Sequence, residues 1–423
     1  MLESLETEEG EKGLAGFVQE LTARQEAVDH AVSSLAVPWR IESEPISTAL
    51  AGGRRLADDV LCPEVLPPFD RSTRDGYAIV SGDCYGASTS NPAFMAISGE
   101  VPMGVIPAFS VRPGECAAIH TGGILPAGAD AVVMAENAER AGKWVEVRKP
   151  VQRGENIVFR GEEFSAGSIL LDRGAMIDYR TVGILSNAGV STVRVINLKV
   201  GVISSGDEIV PCETEKLLPG QFRDVNSSIL SRLLSSHGYE PRCYGIAADS
   251  YDSLEGLFRR ALEECNVVLI SGGSSVSSRD HTSELLESLT DPGLLVRGVL
   301  MSPGKPTLIA GLKRQQRLVI GLPGHPFSCF LAAYNVALPL IHSIHTGIPV
   351  APWRTAFLQA AEPVFGHTGI EEFTPFFLRE GRVAPLPTKS SFVKTLAKAD
   401  GLIRLPVSRE TARAGEEVEA WLW

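Results

Sequence analysis

The chain has no CxxC pair, no glycine fingerprint of a nicotinamide enzyme, no uninterrupted membrane-length apolar run and no surplus of positive charge. Each absence removes a class of function. The seven cysteines (Cys62, Cys84, Cys116, Cys212, Cys243, Cys265 and Cys329) are scattered and odd in number. That pattern argues against a zinc ribbon or a disulfide framework and suits a reducing compartment. The most apolar run, Phe327–Ile341, carries Ser328, Asn335 and Pro339 and falls short of the ~20 apolar residues that span a bilayer. Residues 1–12 are acidic and polar, unlike a secretory signal. A soluble, cytoplasmic chain with no membrane role is expected. The 39 Lys and Arg stand against 51 Asp and Glu, a net charge of -12, so no nucleic-acid surface is expected. A phosphate-bearing ligand would have to be held locally, by backbone N–H groups and a few placed cations.

What is present is a chain of 423 residues, 44% hydrophobic and 21% charged, which is ordinary globular composition with room for two to four domains. Helical spacing runs over 14–36, with Phe17, Leu21, Ala27, Val28, Ala31 and Leu35 near one face. From about 60 to 165 short apolar runs are separated by Gly and Pro, among them Ala117–Ile119, Ala131–Met134 and Trp144–Val147, which predicts a small, mostly β insertion. Between 198 and 345, strand-like runs at Val200–Ser204, Arg242–Ile246, Val267–Ser271 and Leu318–Gly321 alternate with helix patterns at 229–234 and 254–262. Such alternation predicts a mainly parallel sheet covered by helices. After Gly347 the texture returns to short strands, as at Gly401–Pro406 and Val418–Trp423.

In such sheets ligands collect at the carboxyl ends of the strands. Three strand ends carry small or glycine-rich loops: Ser204-Ser205-Gly206-Asp207-Glu208; Ser271-Gly272-Gly273-Ser274-Ser275, leading to Asp280; and Gly321-Leu322-Pro323-Gly324-His325-Pro326. Successive N–H groups in loops of this kind can cradle phosphate oxygens. Gly304-Lys305 looks like the end of a P-loop, but the upstream glycine position is Val299 and Pro306 follows. Asp207, Glu208, Asp249 and Asp280 all follow predicted strands. Hard oxygen ligands beside phosphate loops suit Mg²⁺-assisted cleavage of a phosphoanhydride. For any one of them alone, capping a helix or closing an Asx turn is an equal account.

Taken in order, the segments resemble the molybdopterin molybdotransferase family, which includes the bacterial MoeA proteins and the E domain of gephyrin. The resemblance rests on PPFDRSTRDGYA (67–78), HTGGILPAGADAVVMAE (120–136), NIVFRGEEF (156–164), SSGDEI (204–209), DVNS (224–227), SGGSSVSSRDHT (271–282), SPGKPT (302–307), GLPGHPFSC (321–329) and ADGLIRLP (399–406). It implies a multi-domain α/β and β chain. Domain I (14–60 and 165–196) would be an extended, discontinuous N-terminal linker domain and domain II (61–164) a mostly β insertion. Domain III (197–346) would be a three-layer α/β molybdopterin-binding domain and domain IV (347–423) a small C-terminal β-barrel.

The implied activity is insertion of molybdate into adenylylated molybdopterin with release of AMP, aided by Mg²⁺, in an elongated homodimer. Domain II of one subunit would face the domain III cleft of the other. The resemblance carries catalytic roles onto Asp75, Glu208 and Asp280, and metal binding onto Asp249 and Asp280. Substrate contacts fall on Thr121, Ser205, Gly206, Asp249, Gly272, Gly273, Ser274, Lys305, Pro323 and Pro326. A molybdopterin adenylyltransferase and downstream molybdoenzyme maturation factors are the implied partners. Adenylation of molybdopterin itself, and a non-catalytic dimeric scaffold, are the alternatives. Ser302 departs from the lysine common in the family, Ser277 from Gly, Arg71 and His325 from Asn, and Glu163 from Asp, which alters the charge available to an oxyanion.

Overall fold

The computed structural model describes residues 21–272 and 281–423. Its first helix, α1 (Arg24–Ser34), buries Ala27, Val28 and Ala31. Of the helix expected over 14–36, residues 14–20 lie outside the described residues, and the described part starts at Arg24. Residues 21–23 are drawn into a backbone bridge, in which Thr22 N donates to Gly298 O at 3.0 Å and Leu300 N donates to Thr22 O at 2.8 Å. Leu21 therefore precedes the helix, and Phe17 lies outside the described residues. The strand Ser43–Ser47 pairs antiparallel with Thr192–Ile196, so the two chain segments flanking the insertion are tied together. Helix α2 (Tyr179–Asn187) starts on a reciprocal cap: Asp178 accepts from Thr181 N, and Thr181 Oγ1 accepts from Asp178 N.

The insertion is a six-stranded sheet in the order 131–134, 76–79, 115–119, 93–100, 144–147, 138–141. Successive residues of its strands face opposite ways. Ile79, Cys116 and Val133 enter one apolar cluster, whereas Ala78, Ala117 and Val132 enter another, so both faces are covered.

The central unit holds six strands: β1 (Lys199–Ser205), β2 (Glu240–Ala247), β3 (Val267–Ser271), β4 (Pro292–Val296), β5 (Leu308–Leu312) and β6 (Arg317–Leu322). Their order is β2-β1-β3-β6-β5-β4. The first four in that order are parallel and β5 and β4 add antiparallel at the edge. Helices α3 (Val225–Ser236), α4 (Tyr251–Glu264) and α5 (His281–Glu287) alternate with the strands. Within β3, Val267 and Leu269 face the layer of α1, α3 and the helices after β6, while Val268 and Ile270 face α4 and α5. Apolar residues on both sides of each pleat are the mark of a strand covered twice.

After β6 come α6 (Pro326–Ala332), one π turn (Ala333–Ala337) and α7 (Leu338–Thr346). Together they form a helical run of 21 residues that is long and apolar enough by composition to cross a membrane, and 89% of its apolar window is buried inside the fold. The helical run extends beyond the apolar stretch 327–341, and Pro339, which has no N–H to give, follows closely on the π turn that holds Asn335.

Beyond it, strands 354–359, 371–379, 382–385, 401–405 and 417–422 form the C-terminal sheet. A bridge from Ala360 to Val383 brings its two ends together, which makes it a small barrel. Met301–Ser302 pairs with Glu371–Glu372 of this barrel, and Glu371, 4% exposed, takes a hydrogen bond from Arg24 Nε at 2.8 Å and pairs with Arg404.

Candidate active site

The four parallel strands end at one edge, at Ser205, Ala247, Ser271 and Leu322. Strand β5 begins there as well, since Leu308 pairs with Gly321, and so the 302–307 loop joins them. Ser205, Gly206, Glu208, Asp249, Gly272, Lys305, Pro323 and Pro326 thus lie along a single edge. Gly273, Ser274, Ser277 and Asp280 fall outside the described residues.

A buried polar knot organises this edge. Ser204 Oγ donates to Asp224 Oδ1 at 2.9 Å, with Ser227 Oγ at 2.9 Å and Ser271 Oγ at 3.2 Å around it. One hydroxyl carries one proton, so Ser227 and Ser271 donate to Ser204. Asp224 Oδ1 also accepts from Ser227 N at 3.0 Å, which caps the start of α3. One carboxylate therefore fixes two strand ends and a helix N-terminus. The next residue but one, Asn226, donates from Nδ2 to Gly324 O at 2.8 Å and ties α3 to the loop after β6. Among the described residues its Oδ1 is buried with no partner.

Backbone approach is equally close. Gly272 has φ +99°, and a Cβ there would lie 2.3 Å from Ser205 O. Only glycine fits between the loops after β1 and β3. Gly272 O accepts from Thr282 Oγ1 at 3.2 Å. On the outer side, Asp207 Oδ1 accepts from Asp249 N at 2.9 Å, so the loops after β1 and β2 are also joined. This answers the Asx-turn alternative for Asp207 in part, since its oxygen closes a contact between loops rather than a local turn. Asp207, Glu208 and Asp249 are exposed. A cavity of about 880 Å³ opens beside them, lined by Gly206, Asp207, Asp224, Ser227, Arg232 and Ala248 among others. Pro323 is buried under the edge, and Pro326 opens α6 at its first helical position.

Ser302 faces elsewhere. Its Oγ donates to Glu372 Oε1 at 2.9 Å, and Glu372 Oε2 meets His367 Nδ1 at 2.9 Å. The position at which the family resemblance places a lysine therefore looks onto a carboxylate of the C-terminal barrel.

In the insertion, Asp75 and Thr121 are neighbours. Thr121 N donates to Asp75 Oδ1 at 2.8 Å and His120 Nδ1 lies 3.4 Å from the same oxygen. The Thr121 N–H, followed by His120, holds the Asp75 carboxyl below the ordinary carboxylate value. Among the described residues no hydrogen bond or ion pair joins this turn to the strand-end edge of the same chain.

Residues 22–189 match the model of the MoeA N-terminal region (domains I and II). Residues 201–343 match a probable molybdopterin binding domain, and residues 358–423 the MoeA C-terminal region (domain IV). The chain belongs to the MoeA family. It is 30% identical over 320 residues to a molybdopterin molybdenumtransferase of Nostoc sp., covering 75% of this chain and 72% of that protein. It is also 30% identical over 385 residues to a putative molybdopterin biosynthesis protein of Methanocaldococcus jannaschii, covering 86% and 88%. Two crystal structures of Pyrococcus horikoshii MoeA proteins superpose over 95% of the chain. One has TM-score 0.78 at 27% identity and full coverage of that chain, the other 0.70 at 32% and 99% coverage. Family membership places the chain in molybdenum cofactor biosynthesis.

Ser204 and DVNS (224–227) stand among the family-like motifs, but the sequence reading gives no site role to Ser204, Asp224, Asn226 or Ser227. The D-x-x-S pattern before an apolar helix marks an N-cap at Asp224. Nothing in the sequence indicates that the same carboxylate also holds Ser204.

Proposed function

We propose that this protein inserts molybdate into adenylylated molybdopterin, with hydrolysis of the phosphoanhydride and release of AMP. The observation that carries this reading is the strand-end edge, where exposed carboxylates, glycine-permitted close backbone and a cavity of small-molecule size occur together. The relatives named molybdopterin molybdenumtransferase supply the substrate class.

Mg²⁺ takes one or two carboxylates and completes its shell with water and phosphate oxygens; the proposed ligands are Asp249, exposed at the edge, and Asp280, which lies outside the described residues. Mg²⁺ would neutralise charge on the phosphoanhydride oxygens and on the departing AMP. Lys305 would supply a cation to the phosphates from the 302–307 loop, while the N–H groups of Gly206 and Gly272 are already given to Ala247 O and Leu322 O, and Gly273 and Ser274, the further proposed contacts, lie outside the described residues. Glu208, exposed at the edge, accepts a proton from the water that adds to phosphorus as the bridging P–O bond breaks. Asp75 and Thr121 complete the site from the insertion of a second copy in a cytoplasmic homodimer. In that role they orient substrate by the rigid turn that their mutual hydrogen bond builds.

The proposal is tested by supplying adenylylated molybdopterin, or metal-free molybdopterin with ATP, to the purified protein. AMP release from the first, dependent on molybdate, is expected. Adenylation of the second without AMP release from the first would reverse the assignment in favour of an adenylyltransferase.

A further inference from the structure

The chain carries a strong acidic surplus, yet one cavity is lined mainly by positive charge. It has a volume of about 470 Å³ and is bordered by Trp39, Arg40, Asp58, Arg173, Arg194 and His345. It lies where the linker after α1 passes between the N-terminal strand pair and the last turn of α7. The helical run that starts at the candidate active edge is 21 residues long, and at 1.5 Å per residue it carries this last turn ~30 Å away. The cavity is therefore remote from the strand-end site.

The charges in the cavity are poorly balanced. Arg194 is 3.8 Å from Asp58 and spends its other contacts on Ser43, through O at 3.2 Å and Oγ at 2.7 Å. Among the described residues neither Arg40 nor Arg173 forms an ion pair. Asp59, the next nearest carboxylate in sequence, is engaged by the backbone N of Arg173 at 2.7 Å. His345, 4% exposed, lies 3.0 Å through Nε2 from Leu56 O and 3.2 Å through Nδ1 from Arg173 Nη2. Arg173 Nε also lies 3.3 Å from Nε2, but Leu56 O can only accept, so the shorter contact makes Nε2 the protonated nitrogen and the neutral ring accepts from Arg173 Nη2 at Nδ1 without cancelling its charge. Burial and Arg173 hold this imidazole down at about 4. Three guanidinium groups thus share one carboxylate at the wall of a cavity sized for a small ligand. Guanidinium is the group that matches tetrahedral oxyanions through paired N–H donors.

We propose that this cavity is a second, non-catalytic anion site that takes the phosphate group of a small molecule. It lies between the N-terminal strand pair and α7, so its occupant would brace those two parts of the chain. The test is calorimetric titration of the full-length protein with inorganic phosphate and, separately, with ribose 5-phosphate, in low and moderate salt. Saturable binding that weakens as salt rises is expected. A preference for ribose 5-phosphate would identify a phosphate ester as the ligand, and equal affinities a free oxyanion. Arg40→Gln disturbs no hydrogen bond or ion pair among the described residues and is expected to weaken binding by roughly tenfold. Arg40→Gln/Arg194→Gln is expected to abolish it at the same concentrations. No saturable binding to the wild type overturns the proposal. So does binding that Arg40→Gln leaves unchanged, since the anion would then sit elsewhere, at the strand-end site included.

Discussion

Asp224 and Gly272 show how much of this site hangs on single side chains, or on having none. Asp224 Oδ1 accepts from both Ser227 N and Ser204 Oγ, and an asparagine carbonyl can accept the same two bonds. Asp224→Asn is therefore expected to melt within about 1 kcal/mol of wild type. Asp224→Ala, which loses both bonds and leaves Ser204 unpaired, should cost about 1–3 kcal/mol. Chemical denaturation of the two variants checks the ordering, and equal losses would remove the capping role. Gly272→Ala adds a Cβ 2.3 Å from Ser205 O at φ +99°, so the loops after β1 and β3 must separate. A loss of about 3 kcal/mol or more, together with lost activity, is expected. The glycine was legible in the sequence because a glycine loop after a strand is a local pattern. The polar knot was not: Ser204, Asp224 and Ser271 are far apart in the chain and meet only once β1, α3 and β3 are packed.

Elements were legible where their apolar period was unambiguous. The runs predicted at 200–204, 242–246 and 318–321 lie within two residues of β1, β2 and β6 at either end, and 267–271 coincides with β3. Strands β4 and β5 escaped notice. Asp291 at φ +62° and the glycines at 293 and 311 break the continuous apolar texture that marked the others.

Helix α7 carries a pH-dependent element of its own. His342 and His345 are both held at about 4, each mainly by burial and then by nearby arginine, Arg55 for His342 and Arg173 for His345. The folded state binds fewer protons than the unfolded state between about pH 4 and 6.5. Stability is thus fully present above pH 6.5 and declines as pH falls toward 4. A loss of roughly 1–2 kcal/mol per imidazole between pH 6.5 and 5 is expected. Melting curves across that range should flatten in His345→Gln, and an undiminished slope would contradict the role given to this ring.

For the whole molecule, the described residues place the Asp75–Thr121 turn and the strand-end edge in separate parts of one chain, each preorganised and without a mutual hydrogen bond or ion pair. A homodimer that joins one copy's turn to the other's edge is the arrangement that would unite them. Such an interface would leave no local pattern in the sequence, because a self-complementary surface depends on the folded shape. Neither Asp75→Asn nor Glu208→Gln is expected to be active alone. After subunit exchange, a mixture of the two should regain a fraction of wild-type activity through the heterodimers that contain one intact site. Verified exchange without recovery would place both residues in the same subunit's site.

The central claim is that molybdate insertion and AMP release are one coupled event at the strand-end edge. The most direct measurement is single-turnover reaction of the wild-type protein with adenylylated molybdopterin and molybdate, scoring both AMP and the molybdenum retained on the dithiolene. The account predicts one AMP per molybdenum inserted, and neither product in Glu208→Gln at matched folding. AMP released in full without molybdate, or molybdenum inserted while the adenylate stays intact, would contradict it.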